Sequence, residues 1–180
     1  HRGNLKRQAE TLEAIEKKVN FNNKLVINEG FNEYRFSELY AEYAARFPDD
    51  ETVKKLVATG NQDRGLFYLV IEKAMLAWRN EALGSDLSES WSAFNDRCTN
   101  SLVKVCSEVD KGKTALIISS GGPIAMMVKK ILALDDKKAI ELTLQIRNTG
   151  ITHCYYDGEK IKLASFNGLP HLDVSAHRYK

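Results

Sequence analysis

Thr114-Ala-Leu-Ile-Ile-Ser-Ser-Gly-Gly-Pro-Ile124 is the stretch on which the fold turns. Its first part, Thr114 to Ser119, is nearly all apolar, as expected of a strand buried on both faces in a parallel sheet covered by helices. A helix is expected to follow through about Leu134, with Pro123 near its start, where proline is best tolerated. A strand that ends in small residues at a helix start gathers unpaired N–H groups and the positive end of a helix dipole at one spot. Glycine there lets an anion approach the backbone closely. Alone, Ser119-Ser-Gly-Gly-Pro123 reads first as a serine cap on a tight βα turn and second as a phosphate or carboxylate site. It is not a Walker loop, because no Gly-Lys-Ser/Thr follows, and it lacks the full glycine fingerprint of dinucleotide folds.

Toward the N-terminus, Ser90 is placed to cap a long helix with Trp91, Phe94, Cys98, Leu102, Val105 and Cys106 on one apolar face. Asp63 to about Ala82 is apolar over a wide arc, which predicts a helix buried on more than one side. Phe36, Leu39, Tyr40, Tyr43, Ala44 and Phe47 keep helical spacing from a Ser37 cap, and Pro48 ends that helix. The polar segment 49–62 between these helices reads as a loop. Lys24–Ile27 reads as a short strand between Asn-rich loops. Leu5, Ala9, Leu12, Ile15 and Val19 mark a first amphipathic helix that has no strand before it.

Toward the C-terminus, Leu142, Leu144 and Ile146 alternate, as do Ile151, His153 and Tyr155, and Lys160 to Phe166 completes a hairpin through Asp157-Gly158. The whole is an α/β layout with a mixed, mostly parallel sheet flanked by helices and a helical insertion at about 36–83.

The 180 residues suffice for one domain, and 26 Lys and Arg are interspersed with 24 Asp and Glu, which argues against a nucleic-acid partner. No apolar run reaches the roughly 18 residues of a membrane span. Three cysteines, Cys98, Cys106 and Cys154, are an odd number without a metal-type spacing, which suits reduced thiols in the cytoplasm. No cofactor or metal is implied.

Two further positions carry potential chemistry. Arg7, a cation in the first turn of a helix, opposes the dipole, and binding an anion just beyond the helix start would account for it; a solvated arginine is the simpler account. Glu33 lies among aromatics in Phe31-Asn-Glu-Tyr-Arg-Phe36, where desolvation would raise its pKa and suit it to general-acid work; a loop glutamate paired with lysine is the simpler account here. His153 reads as a sheet residue, His171 and His177 lie in the tail, and His1 is terminal.

Taken in order, several motifs resemble the histidine phosphatase superfamily, also called phosphoglycerate-mutase-like. They are Gly3-Asn-Leu-Lys-Arg-Gln-Ala-Glu-Thr11, Phe31-Asn-Glu33, Ser90-Trp-x-x-Phe94-x-x-Arg97, Leu116-Ile-Ile-Ser-Ser-Gly-Gly-Pro-Ile124, Leu144-x-x-Arg-Asn-Thr149 and Phe166-Asn-Gly-Leu-Pro-His-Leu172. The resemblance implies a three-layer phosphoglycerate-mutase-like fold over residues 1–180 as a single domain. It implies hydrolysis of phosphomonoesters of small molecules through a phosphohistidine, covalent catalysis supported by preorganised positive charge. Carried over by position, Arg7 and Ser120, followed by Gly121, hold the phosphate, and Glu33 is the proton donor, with Glu29 a less well spaced alternative.

Two departures stand out. No Arg-His-Gly tripeptide, the family's nucleophile motif, occurs in the chain, which opens on His1 and not on Met. The resemblance therefore leads us to expect a βα unit carrying it upstream of His1, and no phosphohistidine on the chain as it stands. Ser120 occupies the place of a second histidine, a trait shared with a subset of family-like sequences. A non-catalytic phospho-ligand-binding or scaffolding domain is the alternative. Substrate identity and oligomeric state, a dimer included, stay open.

Overall fold

A computed structural model of the chain describes residues 1–19, 24–84 and 86–172. His177 and the Asn-rich segment 20–23 fall outside the described residues. Four helices begin where a short polar side chain accepts a backbone N–H. Asp50 starts α3 (Glu51–Ala58), Asp63 starts α4 (Arg64–Arg79), Ser90 starts α5 (Trp91–Glu108) and Asp135 starts α7 (Asp136–Gln145). The others are α1 (Lys6–Glu16), α2 (Phe36–Arg46) and α6 (Gly121–Leu132). A 3-10 turn spans Glu29–Phe31. Strands β1 (Ile151–Tyr156) and β2 (Ile161–Gly168) pair antiparallel, with Tyr156 opposite Ile161 and His153 opposite Ser165. Asp157 closes their turn by accepting the Glu159 and Lys160 amides, and Gly158 takes the positive φ that the turn requires.

The result is a mixed, helix-rich α/β fold. Among the described residues its sheet is the β1–β2 pair, and parallel pairing is confined to two bridges at Arg2, one to Ile27 and one to Ile118. Arg2 thus sits extended between the Lys24–Ile27 and Thr114–Ser119 segments, directly before α1 and in the place where the sequence left that helix without a strand. The run Thr114–Ser119 is not buried on both faces. Ile118 is buried and Ala115 and Ile117 are half-buried, whereas Leu116 is exposed.

Three other expectations change. The alternating Leu142, Leu144 and Ile146 do not form a strand: Leu142 and Leu144 lie on α7, and Ile146 ends it. The Asp135 carboxylate takes the Lys138 amide, and the helix turns Ala139 and Ile140 into the core while Leu142 and Leu144 pack at its edge. Ser37 lies inside α2, which starts after Arg35. The polar segment 49–62 contains α3, a helix with only Val53 and Leu56 buried, whose start depends on Asp50 more than on hydrophobic pattern.

Asp50 also fastens α3 to its neighbours. Beyond capping Thr52 and Val53, it accepts from Tyr43 Oη (3.1 Å) on α2 and from Lys73 Nζ (2.8 Å) on α4. Burial pulls its carboxyl pKa up, but Lys73, the two amides and Tyr43 outweigh that and hold it well below the usual carboxylate range. Its contribution is therefore present at neutral pH and lost as pH falls through the depressed value. Asp50→Ala should lower the unfolding free energy by about 1–2 kcal/mol at neutral pH, read as a lower urea midpoint at unchanged slope.

The main core lies between α2, α3, α4, α5, α6 and α7, around Met75, Trp78, Trp91, Phe94, Met126 and Ile140. A second cluster of Phe31, Leu102, Val105 and Met127 packs under the 3-10 turn. The site lies between these clusters and α1.

Candidate functional site

The start of α6 has no side-chain cap. Ser120 is the cap residue, but its side chain caps nothing; Gly121 and Gly122 follow, Pro123 has no N–H, and the Ile124 amide already bonds Ser120 O (3.1 Å). The Ser120 hydroxyl instead accepts from Arg7 Nη2 (3.0 Å) and Nε (3.3 Å) and from Gln8 Nε2 (3.3 Å) on α1. Ser119 does not cap the helix either; its hydroxyl donates to Phe31 O (2.8 Å), an oxygen that also accepts from Gln8 Nε2 (2.8 Å).

Glu33 arrives from the far side. Its Oε2 accepts the Gly122 amide (3.2 Å) and its Oε1 the Tyr34 amide (3.3 Å). This approach is why residue 122 has no side chain, since a Cβ there would stand 2.2 Å from Glu33 Oε1 and 3.0 Å from Phe94 Cζ. Burial raises the Glu33 carboxyl pKa above the usual range, against smaller opposing effects of the two amides, Arg7 and Arg97. A carboxyl so held keeps its proton to higher pH than an ordinary glutamate, which is what a general acid needs.

Arg7, Ser120, Gly121 and Glu33 thus meet at one end of α6. Glu29 does not join them: its carboxylate accepts from Asn4 Nδ2 (2.7 Å), beside a cleft of about 450 Å³ lined by His1, Asn28, Arg97, Lys104 and Glu108. Among the described residues the histidines lie elsewhere, with the His153 ring against Tyr155 (4.6 Å) on the hairpin and His171 Nε2 3.1 Å from Thr149 Oγ1. Among the described residues, no cluster of three or more His, Cys, Asp or Glu could hold a metal, and no helix is long and apolar enough to cross a membrane.

Two participants went unassigned in the sequence. Gln8 is buried and ties Ser120 to the Phe31 carbonyl; its signal was its place next to Arg7 on the same motif. Arg97, quoted above only as part of a helix motif, bonds the backbone just before Glu33.

A guanidinium, a hydroxyl and the start of α6 are thus brought together, with a carboxyl group beside them, on a helix-rich α/β scaffold. The description of the histidine phosphatase superfamily (branch 1) matches residues 68–168, more than half of the chain. The chain belongs to that superfamily. The match contains Arg97, Ser120 and Gly121, and the fold adds Arg7 and Glu33 from outside it. Comparison with curated proteins and with solved structures returned no match.

Proposed function

We propose that these residues are the phosphate-holding and proton-donating part of a phosphomonoester hydrolase site acting on a small phosphorylated molecule in the cytoplasm. The observation that carries this reading is the contact of Arg7 with Ser120 across 113 residues of sequence, beside the start of α6. A guanidinium forks onto two phosphate oxygens, Ser120 donates its O–H to a third, and Gly121 offers its amide. Glu33 gives its proton to the leaving oxygen. Two parallel bridges at Arg2 support taking the extended segments as part of the three-layer, mostly parallel sheet of that family.

In the family that the motifs resemble, a histidine in an Arg-His-Gly tripeptide accepts the phosphoryl group, and no such tripeptide stands in these 180 residues. The chain by itself is expected to bind phosphate without turning over an aryl phosphate and without gaining acid-labile phosphate. Robust turnover would sink this reading. Arg7→Ala should weaken orthovanadate binding about tenfold by calorimetry, a modest factor because Arg7 is exposed; unchanged binding would overturn the site. One observation favours a non-catalytic phospho-ligand domain: Ser120 supplies a neutral contact where the family has a histidine. A strand ending in Arg-His-Gly in sequence upstream of His1 would decide for the enzyme.

A further inference from the structure

We propose that Arg97 is the positioning residue for Glu33: its guanidinium, locked by Glu89, holds the backbone that leads into Glu33 and so sets where the carboxyl meets α6. This rests on the assignment of Glu33 as the proton donor and extends it to a residue that does not touch the ligand.

The geometry is specific. Arg97 Nη1 donates to Glu29 O (3.3 Å), Gly30 O (3.2 Å) and Asn32 O (2.8 Å), three carbonyls of the 3-10 turn and the residue just before Glu33. Its Nε and Nη2 fork onto the two oxygens of Glu89 (2.5 and 2.9 Å), one residue before the Ser90 cap of α5. The guanidinium also lies over the Phe94 ring, 4.8 Å from its centre. The turn is tight against α5 at one more point, where a Cβ on Gly30 would stand 1.8 Å from Ser101 Oγ and 2.8 Å from Arg97 O. A planar five-donor head suits this task and an ammonium does not, because only the guanidinium reaches a carboxylate with one edge while its other N–H groups meet a curved row of carbonyls.

The consequence falls on Glu33. Its bond to the Gly122 amide requires the turn to hold its register, since the one-residue step from Asn32 leaves Glu33 little independent freedom. Charged and titratable groups around Glu33 come from each packed element: Arg7 from α1, Arg97 and Cys98 from α5, and Tyr34 from its own segment, with none in the first turn of α6. Arg97 is paired with Glu89, so its larger effect on Glu33 is through the backbone it holds.

The test uses the full chain without ligand, so it reads Arg97 independently of whether phosphate binds. The Glu33 carboxyl carbon is followed by NMR through a pH titration, assigned by its loss in Glu33→Gln, and hydrogen exchange is measured at the Gly122 amide. Arg97→Lys keeps the charge but not the fork. It should raise the Glu33 midpoint by loosening the two amides that favour the ionised form, and speed Gly122 exchange at least about tenfold. The Leu102 amide, within α5, should exchange as in wild type. Glu89→Gln, which keeps the shape and unlocks Arg97, should move both readouts in the same direction by less, and serves if Arg97→Lys does not fold. A folded Arg97→Lys or Glu89→Gln protein with the wild-type Glu33 midpoint and wild-type Gly122 exchange would overturn the proposal. Failure of orthovanadate to respond to Arg7→Ala, by contrast, would overturn the site and leave the Arg97 geometry standing.

Discussion

Phe94→Ala should lower the unfolding free energy by about 3–5 kcal/mol, the largest loss expected of any single change near the site. Phe94 is fully buried, and its ring meets Tyr34 edge-on at 5.6 Å, Trp78 at 5.5 Å and Trp91 at 6.2 Å. Its Cζ also lies beneath Gly122, and its face carries the Arg97 guanidinium. Truncation therefore leaves a cavity under Glu33 as well as in the main core. Urea unfolding at neutral pH checks it. Phe94→Leu, which keeps most of the volume, should lose only about 1–1.5 kcal/mol, and equal losses in the two variants would show that packing at this ring is not what holds the site.

Gly122→Ala should cost about 2–3 kcal/mol, more than overpacking by one methyl on a helix surface would. The added carbon would collide with Glu33 Oε1 and press on Phe94 and Tyr34. The carboxylate is the end of a flexible side chain, so it gives way first and loses its bond to the Gly122 amide. The buried Phe94 ring and the half-buried Tyr34 ring give less. The two parts separate in a double-mutant cycle: in a Glu33→Ala background Gly122→Ala should cost at least about 1 kcal/mol less than in wild type. Additive losses would mean that Glu33 does not occupy the space over residue 122.

One helix start with a chemical signal was legible from its residue type, and those at Asp50 and Asp135 were not. Ser90 caps as its sequence context predicts, and the Asp157-Gly158 turn joins the strand read from the alternation of Ile151, His153 and Tyr155 to the one after it. Ser37, read as a cap, lies inside α2, and other errors came where periodicity was the only guide. Leu142, Leu144 and Ile146 satisfy a two-residue period, yet Asp135 begins a helix that carries the first two, and three apolar residues are too few to separate the periods. α3 was hidden for the opposite reason, since two buried side chains on eight residues leave hardly any pattern. Thr114–Ser119 showed the limit of hydropathy, because an apolar run records affinity for a core but not how many sides of the core reach it.

The site divides in the same way. Ser119-Ser-Gly-Gly-Pro123 could be read as a cap or an anion site, and the side-chain directions set aside the serine cap: neither serine caps, and Ser120 faces Arg7 and Gln8. By itself the sequence determined the family, the helices α1, α2, α4, α5 and α6 and the residue types available for phosphate chemistry, because these depend on local propensity and on motifs in order. Tertiary structure alone decided that Arg7 meets Ser120 across 113 residues, that Glu33 meets Gly122 across 89, and that Arg97 grips the turn before Glu33 from 65 residues away. Such contacts depend on how α1, α5 and α6 pack around buried Phe31 and Phe94, and no local period along the chain encodes a packing distance.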